Sequence, residues 1–308
     1  MARKPALEDL GGRLSVTDRL EEVRPPPEGE SPHSHPHRRR RLLVTAGVLV
    51  LAALVVFGGP YVLYLRRSHP GAKSVSSAVQ GFRSSTSTTG DGNRNLVGPR
   101  PGVYQAKGTG TERISFPPNS QRDGAVMPIT VTTLPGNCWR WHLDYNTAHW
   151  HEYDFCVDKG SLLLVAQRNF QRWDFGAVKV TNLGSYTCSP PAPVMITGAR
   201  AGQQFEHHCT GSNSAVPGTS QVEGPVTMGG TVTIDIGGQK VAAVQQTRVQ
   251  HLSGAQSGTV EEQWWFDART GLPLRAERTY RITSPSPVGK ITYTERGWWQ
   301  LTSLEPKT

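Results

Sequence analysis

Residues able to bind a metal or move a proton gather at two places in the chain. One is His149–Asp154, reading HWHEYD, and the other is His207–Cys209, reading HHC. His149-x-His151 and His207-His208-Cys209 contain metal-ligand types. Structural zinc, however, is usually held by Cys pairs two to four residues apart. The four cysteines at 138, 156, 188 and 209 offer no such pair, so no metal is assigned. Paired carboxylates for glycoside cleavage would come first from Asp144, Glu152 and Asp154. Neighbours on an alternating strand face opposite sides, so His151 and Glu152 cannot converge there. G-x-S-x-G, S-x-x-K and H-E-x-x-H patterns are absent. No catalytic residue or cofactor is assigned, and the chain does not read as an enzyme.

The elements that carry these residues are short strands. In WRWHLDYN, Trp139, Trp141, Leu143 and Tyr145 share one face, and Arg140, His142, Asp144 and Asn146 the other. HWHEYDF is the expected hairpin partner across Asn146–Ala148. Val232, Ile234 and Ile236 alternate up to Gly237-Gly238, a pair suited to a tight hairpin turn. Val260, Glu262, Trp264 and Phe266 share a face ahead of a turn through Gly271. On the return strand Leu274, Ala276, Tyr280 and Ile282 point inward, with Arg278 the one break. Period-two alternation of this kind means antiparallel sheet with one wet face. The cysteines are expected as disulfides. Four allow three connectivities, and the order along the chain favours Cys138–Cys156 and Cys188–Cys209.

Before this β-rich part lies a different kind of sequence. Residues 42–65 are 24 in a row without a charge, fenced by Arg38–Arg41 and Arg66-Arg67. About 20 apolar residues cross a bilayer core, so the run reads as a transmembrane signal anchor. The Arg cluster keeps the N-terminus inside, and cysteines confined to the far side suit an oxidising compartment. The expected organisation has four parts: a disordered cytoplasmic tail (1–41), the anchor (42–65), a Ser/Thr/Gly-rich linker (66–99) and a disulfide-stapled extracytoplasmic β-domain (100–306). The tail carries His33, His35 and His37, read as solvated. Basic side chains exceed acidic ones by nine over the chain, yet residues 100–308 hold nineteen against sixteen. That near balance argues against nucleic acid as a partner.

The hairpin WFDARTGLPLR, Trp265–Arg275, near the end of an exported all-β domain resembles the lipoprotein-carrier group. That group comprises LolA-type carriers, mycobacterial lipid-carrying lipoproteins and MucB-like sensors. The resemblance spans Thr231–Tyr293, and the spacer and Arg-rich composition are similar to those of anchored actinobacterial envelope proteins. It implies a curved antiparallel sheet forming an open half-barrel whose concave side helices fill. A sandwich is the other arrangement open to an all-β domain of this size. Trp139, Trp141, Trp264, Phe266, Tyr280 and Ile282 then either line an apolar groove or form ordinary core. The expected function is non-catalytic binding of a lipid, a lipidated protein or a cell-wall component at the cell membrane. The alternatives are an envelope-sensing module that signals through the tail and a wall-directed hydrolase.

Overall fold

The computed structural model describes residues 69–85 and 98–308. The tail, the apolar run 42–65 and part of the linker lie outside the described residues. Among the described residues no helix is long and apolar enough to cross a membrane.

Thirteen antiparallel strands form one sheet. They are β1 (Gly102–Ile114), β2 (Asn119–Arg122), β3 (Val126–Leu134), β4 (Cys138–Asn146), β5 (His149–Asp158), β6 (Ser161–Asp174) and β7 (Lys179–Met195), then β8 (Gln204–Asn213), β9 (Val216–Ile236), β10 (Gln239–Gly254), β11 (Ser257–Asp267), β12 (Pro273–Ser286) and β13 (Gly289–Leu301). The expected curvature is present, but the sheet does not stop at a half-barrel or split into a sandwich. Ala106–Ile114 of β1 pair with Tyr293–Leu301 of β13, so the sheet closes into a ring through every strand but β2. Closure satisfies the backbone groups that an open edge would expose.

Local grammar explains two of the hairpins. Gly237 and Gly238 take φ of 58° and 86°, which positions β9 against β10 from Ile236↔Gln239 onward. Both angles are in the left-handed region that side chains resist. The turn Asp267–Gly271 is held by Asp267 Oδ1, which accepts the backbone N–H groups of Arg269 and Thr270 at 2.8 Å. Both expected disulfides form, Cys138–Cys156 and Cys188–Cys209. The first joins cross-strand partners of β4 and β5. The second is buried and joins the last paired residues of the β7–β8 ladder.

Within the stretch read as linker, Val75–Ser85 form a helix, α1. Ala78 and Phe82, one turn apart, pack with Val103 of β1 against the barrel's outer wall. Two buried positions are a weak periodicity in a Ser-rich segment; Val103, which points outward from the barrel and is buried by the helix, gives them a partner, with Val75 and Val79 packed alongside.

The interior is layered along the strand axis. Inward positions of β11 read Phe266, Trp264, Glu262, Val260, and those of β13 read Leu301, Trp299, Gly297, Glu295, Tyr293. Aromatic packing fills the end that holds the chain's C-terminus. Trp141 of β4 lies 5.8 Å from Trp264 and 5.3 Å from Trp299, centroid to centroid, while Phe155 lies 6.2 Å from Phe266. Opposite walls touch there. A belt of charged side chains comes next, and a cavity occupies the far end.

Candidate functional site: a lumen cavity above a buried ionic belt

The belt is built by register. Arg248 of β10, Glu262 of β11, Arg278 of β12, Gly297 of β13 and Gly110 of β1 are successive cross-strand partners. Arg278 is the residue that breaks the inward pattern of its strand, and it is buried. Its Nη2 donates to Asp123 Oδ2 at 2.7 Å and its Nε donates to Glu295. Its guanidinium carbon sits 3.8 Å over the Tyr145 ring, a cation–π contact. Space for this group exists because two glycines face each other. A Cβ on Gly110 would lie 2.1 Å from Asp123 Oδ2, and one on Gly297 would lie 2.9 Å from Arg278 Nη1.

Glu262 accepts two hydrogen bonds and pairs with one cation. Trp264 Nε1–H donates to it at 3.0 Å, the Tyr280 hydroxyl donates to its other oxygen, and Arg248 Nη1 lies 3.6 Å away. One level nearer the cavity, Glu112 and Glu295 are direct cross-strand partners. Like charges placed opposite each other repel, and both are almost wholly buried. Burial, with Glu295 beside it, pushes Glu112 well above the usual carboxylate range. Burial acts the same way on Glu295, but Arg278, His151 and the Tyr293 hydroxyl together outweigh it and hold that carboxyl below its ordinary value. The Tyr293 hydroxyl bridges the two, 2.6 Å from Glu295 Oε2 and 3.0 Å from Glu112 Oε2.

His149 and His151 complete this layer, with their Nε2 atoms 3.2 Å apart. Burial pushes both imidazoles down, His151 to about 3, so both are neutral at ordinary pH. Desolvation of a cation with too little compensating charge is the cause.

Above the belt lies a cavity of about 270 Å³, just below the range of small-molecule sites. Val216, Val222, Leu252, Val260 and Ile282 supply apolar wall. Gln167, Asn169, Gln250 and Gln256 supply amides, and Tyr280, Glu262, His151 and Tyr293 also border it. It opens at the end of the barrel formed by the β1–β2, β6–β7 and β12–β13 turns. The strands leading into these turns line it through Ile114, Val180, Ser286 and Ile291. The turns carry Phe116, Val178 and Val288, which are 51%, 58% and 67% exposed. His69 and Pro70 sit in a hollow with Asn119, Asp174 and Lys179, at the same end.

Of the six side chains nominated for an apolar face, Tyr280 and Ile282 border the cavity. Trp139, Trp141, Trp264 and Phe266 are in the aromatic core. Asp144, Glu152 and Asp154 lie on the opposite face of β4 and β5 from this interior, each beside a cationic or imidazole partner. Arg140 Nε donates to Asp154 at 2.7 Å, Arg168 Nε to Glu152 at 2.8 Å, and Lys73 lies 3.5 Å from Asp144. Cys209 is bonded to Cys188, so the HHC cluster offers His207 and His208 alone. Sequence reasoning did not single out Glu112, Asp123, Arg248, Glu262 or Glu295. A charge on the apolar phase of an alternating strand was visible for Glu262, between Val260 and Trp264, whereas Asp123 lies between β2 and β3 and carries no such signal.

No family model matches the chain, and no curated protein matches it. A crystal structure of the hypothetical lipoprotein YmcC from Escherichia coli (K12) aligns over 67% of this chain and 89% of its own length. The identity is 10% and the TM-score 0.28.

Proposed function

We propose that this protein is a single-pass, membrane-anchored envelope protein whose outer barrel binds a lipid or another acyl-bearing ligand, without catalysis, in its lumen. The observation that carries this reading is where the cavity opens. His69 stands at the mouth end of the barrel and follows the apolar run by four residues, a reach of at most about 14 Å. A mouth tethered so closely to a bilayer faces it. Phe116, Val178 and Val288 are then the side chains that meet the lipid surface, with Lys179 and Lys290 beside them for anionic headgroups. Lone exposed apolar residues need no explanation, but three turns ringing one opening form a patch with a direction.

The lining fits an amphipathic guest. Aliphatic walls accept a chain, and the amides and the Tyr280–Glu262 pair accept a polar group. The lipoprotein-carrier resemblance points to the same ligand class, held here inside a closed ring rather than an open groove.

The full chain, purified in a detergent unlike native lipid and analysed by mass spectrometry, should carry acyl lipids at a defined ratio. Val216→Trp, which fills the mouth, should abolish them while the circular dichroism spectrum is unchanged. Phe116→Asp with Val288→Asp should leave the fold intact and slow uptake from anionic vesicles at least several-fold. An empty wild-type barrel that also fails to take up a fluorescent fatty acid overturns the reading.

A further inference from the structure

Independent of the lipid reading, the belt contains a second arrangement, a cluster of metal-ligand atoms. His149, His151 and Glu295 each present one ligand atom, and these atoms lie within 4.8 Å of one another. All three residues are buried. The two Nε2 atoms are 3.2 Å apart, and Glu295 Oε2 is 3.9 Å from His149 Nε2. A tetrahedral ion with bonds near 2.0–2.1 Å holds its ligand atoms about 3.3 Å apart. The histidine pair already has that spacing, and the carboxylate oxygen lies 3.9 Å from His149 Nε2.

The surroundings have the form of a metal site's outer shell. The Tyr145 hydroxyl lies 3.4 Å from His151 Nδ1. Glu112 Oε1 lies 3.3 Å from His149 Nδ1, yet neither atom has an aligned hydrogen-bond partner. Arg278 holds the other oxygen of Glu295. Asp123 and Glu295 share the Arg278 guanidinium, and Glu112 lies directly across from Glu295. Arg248 is the next cation, and it is paired with Glu262.

We infer that His149, His151 and Glu295 form a site for a divalent transition-metal ion, zinc by its nitrogen and oxygen donors, at the floor of the lumen cavity. Glu112 orients His149 from behind. His151 also borders the cavity, so the ion is reached through the mouth. Three protein ligands leave one position for water or for a polar group of a guest.

The test uses the full chain carrying H33Q, H35Q and H37Q, which removes the imidazoles of the tail. After dialysis against trace zinc, elemental analysis should find one ion per chain. Cobalt loading should give the intense visible bands of a tetrahedral site. Glu295→Gln and His151→Gln should each lower zinc affinity at least tenfold, and His208→Gln should not change it. If either site variant fails to fold, the cobalt spectrum of the parent chain decides. A folded parent that takes up neither zinc nor cobalt overturns the inference, as does uptake with an octahedral cobalt spectrum.

Discussion

The two ends of the barrel are made from the same strands and differ in what their inward positions carry. At the C-terminal end those positions hold Trp139, Trp141, Trp264, Phe266 and Trp299, all nearly inaccessible. At the mouth the same strands continue with Val260, Ile282 and Ile291, and neighbouring strands add amides. A ring of this many strands encloses more width than small side chains fill. Large rings bring the walls together at one end, and shorter side chains leave about 270 Å³ at the other. Close packing is therefore concentrated at the aromatic end and empty space at the mouth. Between them the ionic belt is buried charge that the aromatic end does not require.

The sharpest break of this comparison is Trp141→Ala, which opens a cavity where opposite walls meet. It should cost about 3–5 kcal/mol, measured by denaturant unfolding. Arg278→Met comes next, because it leaves Asp123 and Glu295 buried without their guanidinium. A similar loss of about 3–5 kcal/mol is expected, and replacing all three residues by apolar ones should restore most of it. Removing the Cys188–Cys209 bridge as a double Ala variant should cost about 3 kcal/mol, plus the packing of two buried sulfurs. The Cys138–Cys156 variant, on the outer face, should lose the loop contribution alone. At the mouth, Ile282→Ala should cost less than about 2 kcal/mol, because a residue bordering empty space forfeits fewer contacts. Equal losses at Trp141 and Ile282 would abolish the distinction between the ends.

A pH-dependent effect lies on the outer wall. Burial works against a charge on His142, but hydrogen bonds to Asp144 and Glu152 outweigh it and raise its pKa to about 9. A folded value above the unfolded one near 6.5 means that the folded state binds the extra proton. The contribution is fully present below about pH 6.5 and is lost as pH rises through about 9. Unfolding midpoints at pH 6 and pH 10 should differ in the wild type by more than in His142→Gln. Identical differences would remove His142 from the account.

Much of the sheet was legible. Alternation in WRWHLDYN and LRAERTYRI, Gly237-Gly238 and the cysteine order each express a local rule, and each element stands where that rule puts it. Closure was not legible, because pairing β1 with β13 joins residues nearly two hundred positions apart and leaves no local mark. The site was half legible. Tyr280 and Ile282 could be placed on a covered face, but the side on which an inward tryptophan becomes core depends on what stands across the ring. Glu112 and Glu295 could be recognised only once β1 and β13 were neighbours.

By itself the amino-acid order determined the strand phases, the turns and the apolar run ahead of them, and favoured the sulfur pairing, since each depends on residues near in sequence. Tertiary structure alone decided that the sheet closes, that its aromatic end is solid and its mouth hollow, and that acids, imidazoles and two arginines meet inside. Those outcomes depend on which distant strands share a level of the ring, and burial turns that shared level into the pKa shifts, the ion pairs and the cavity.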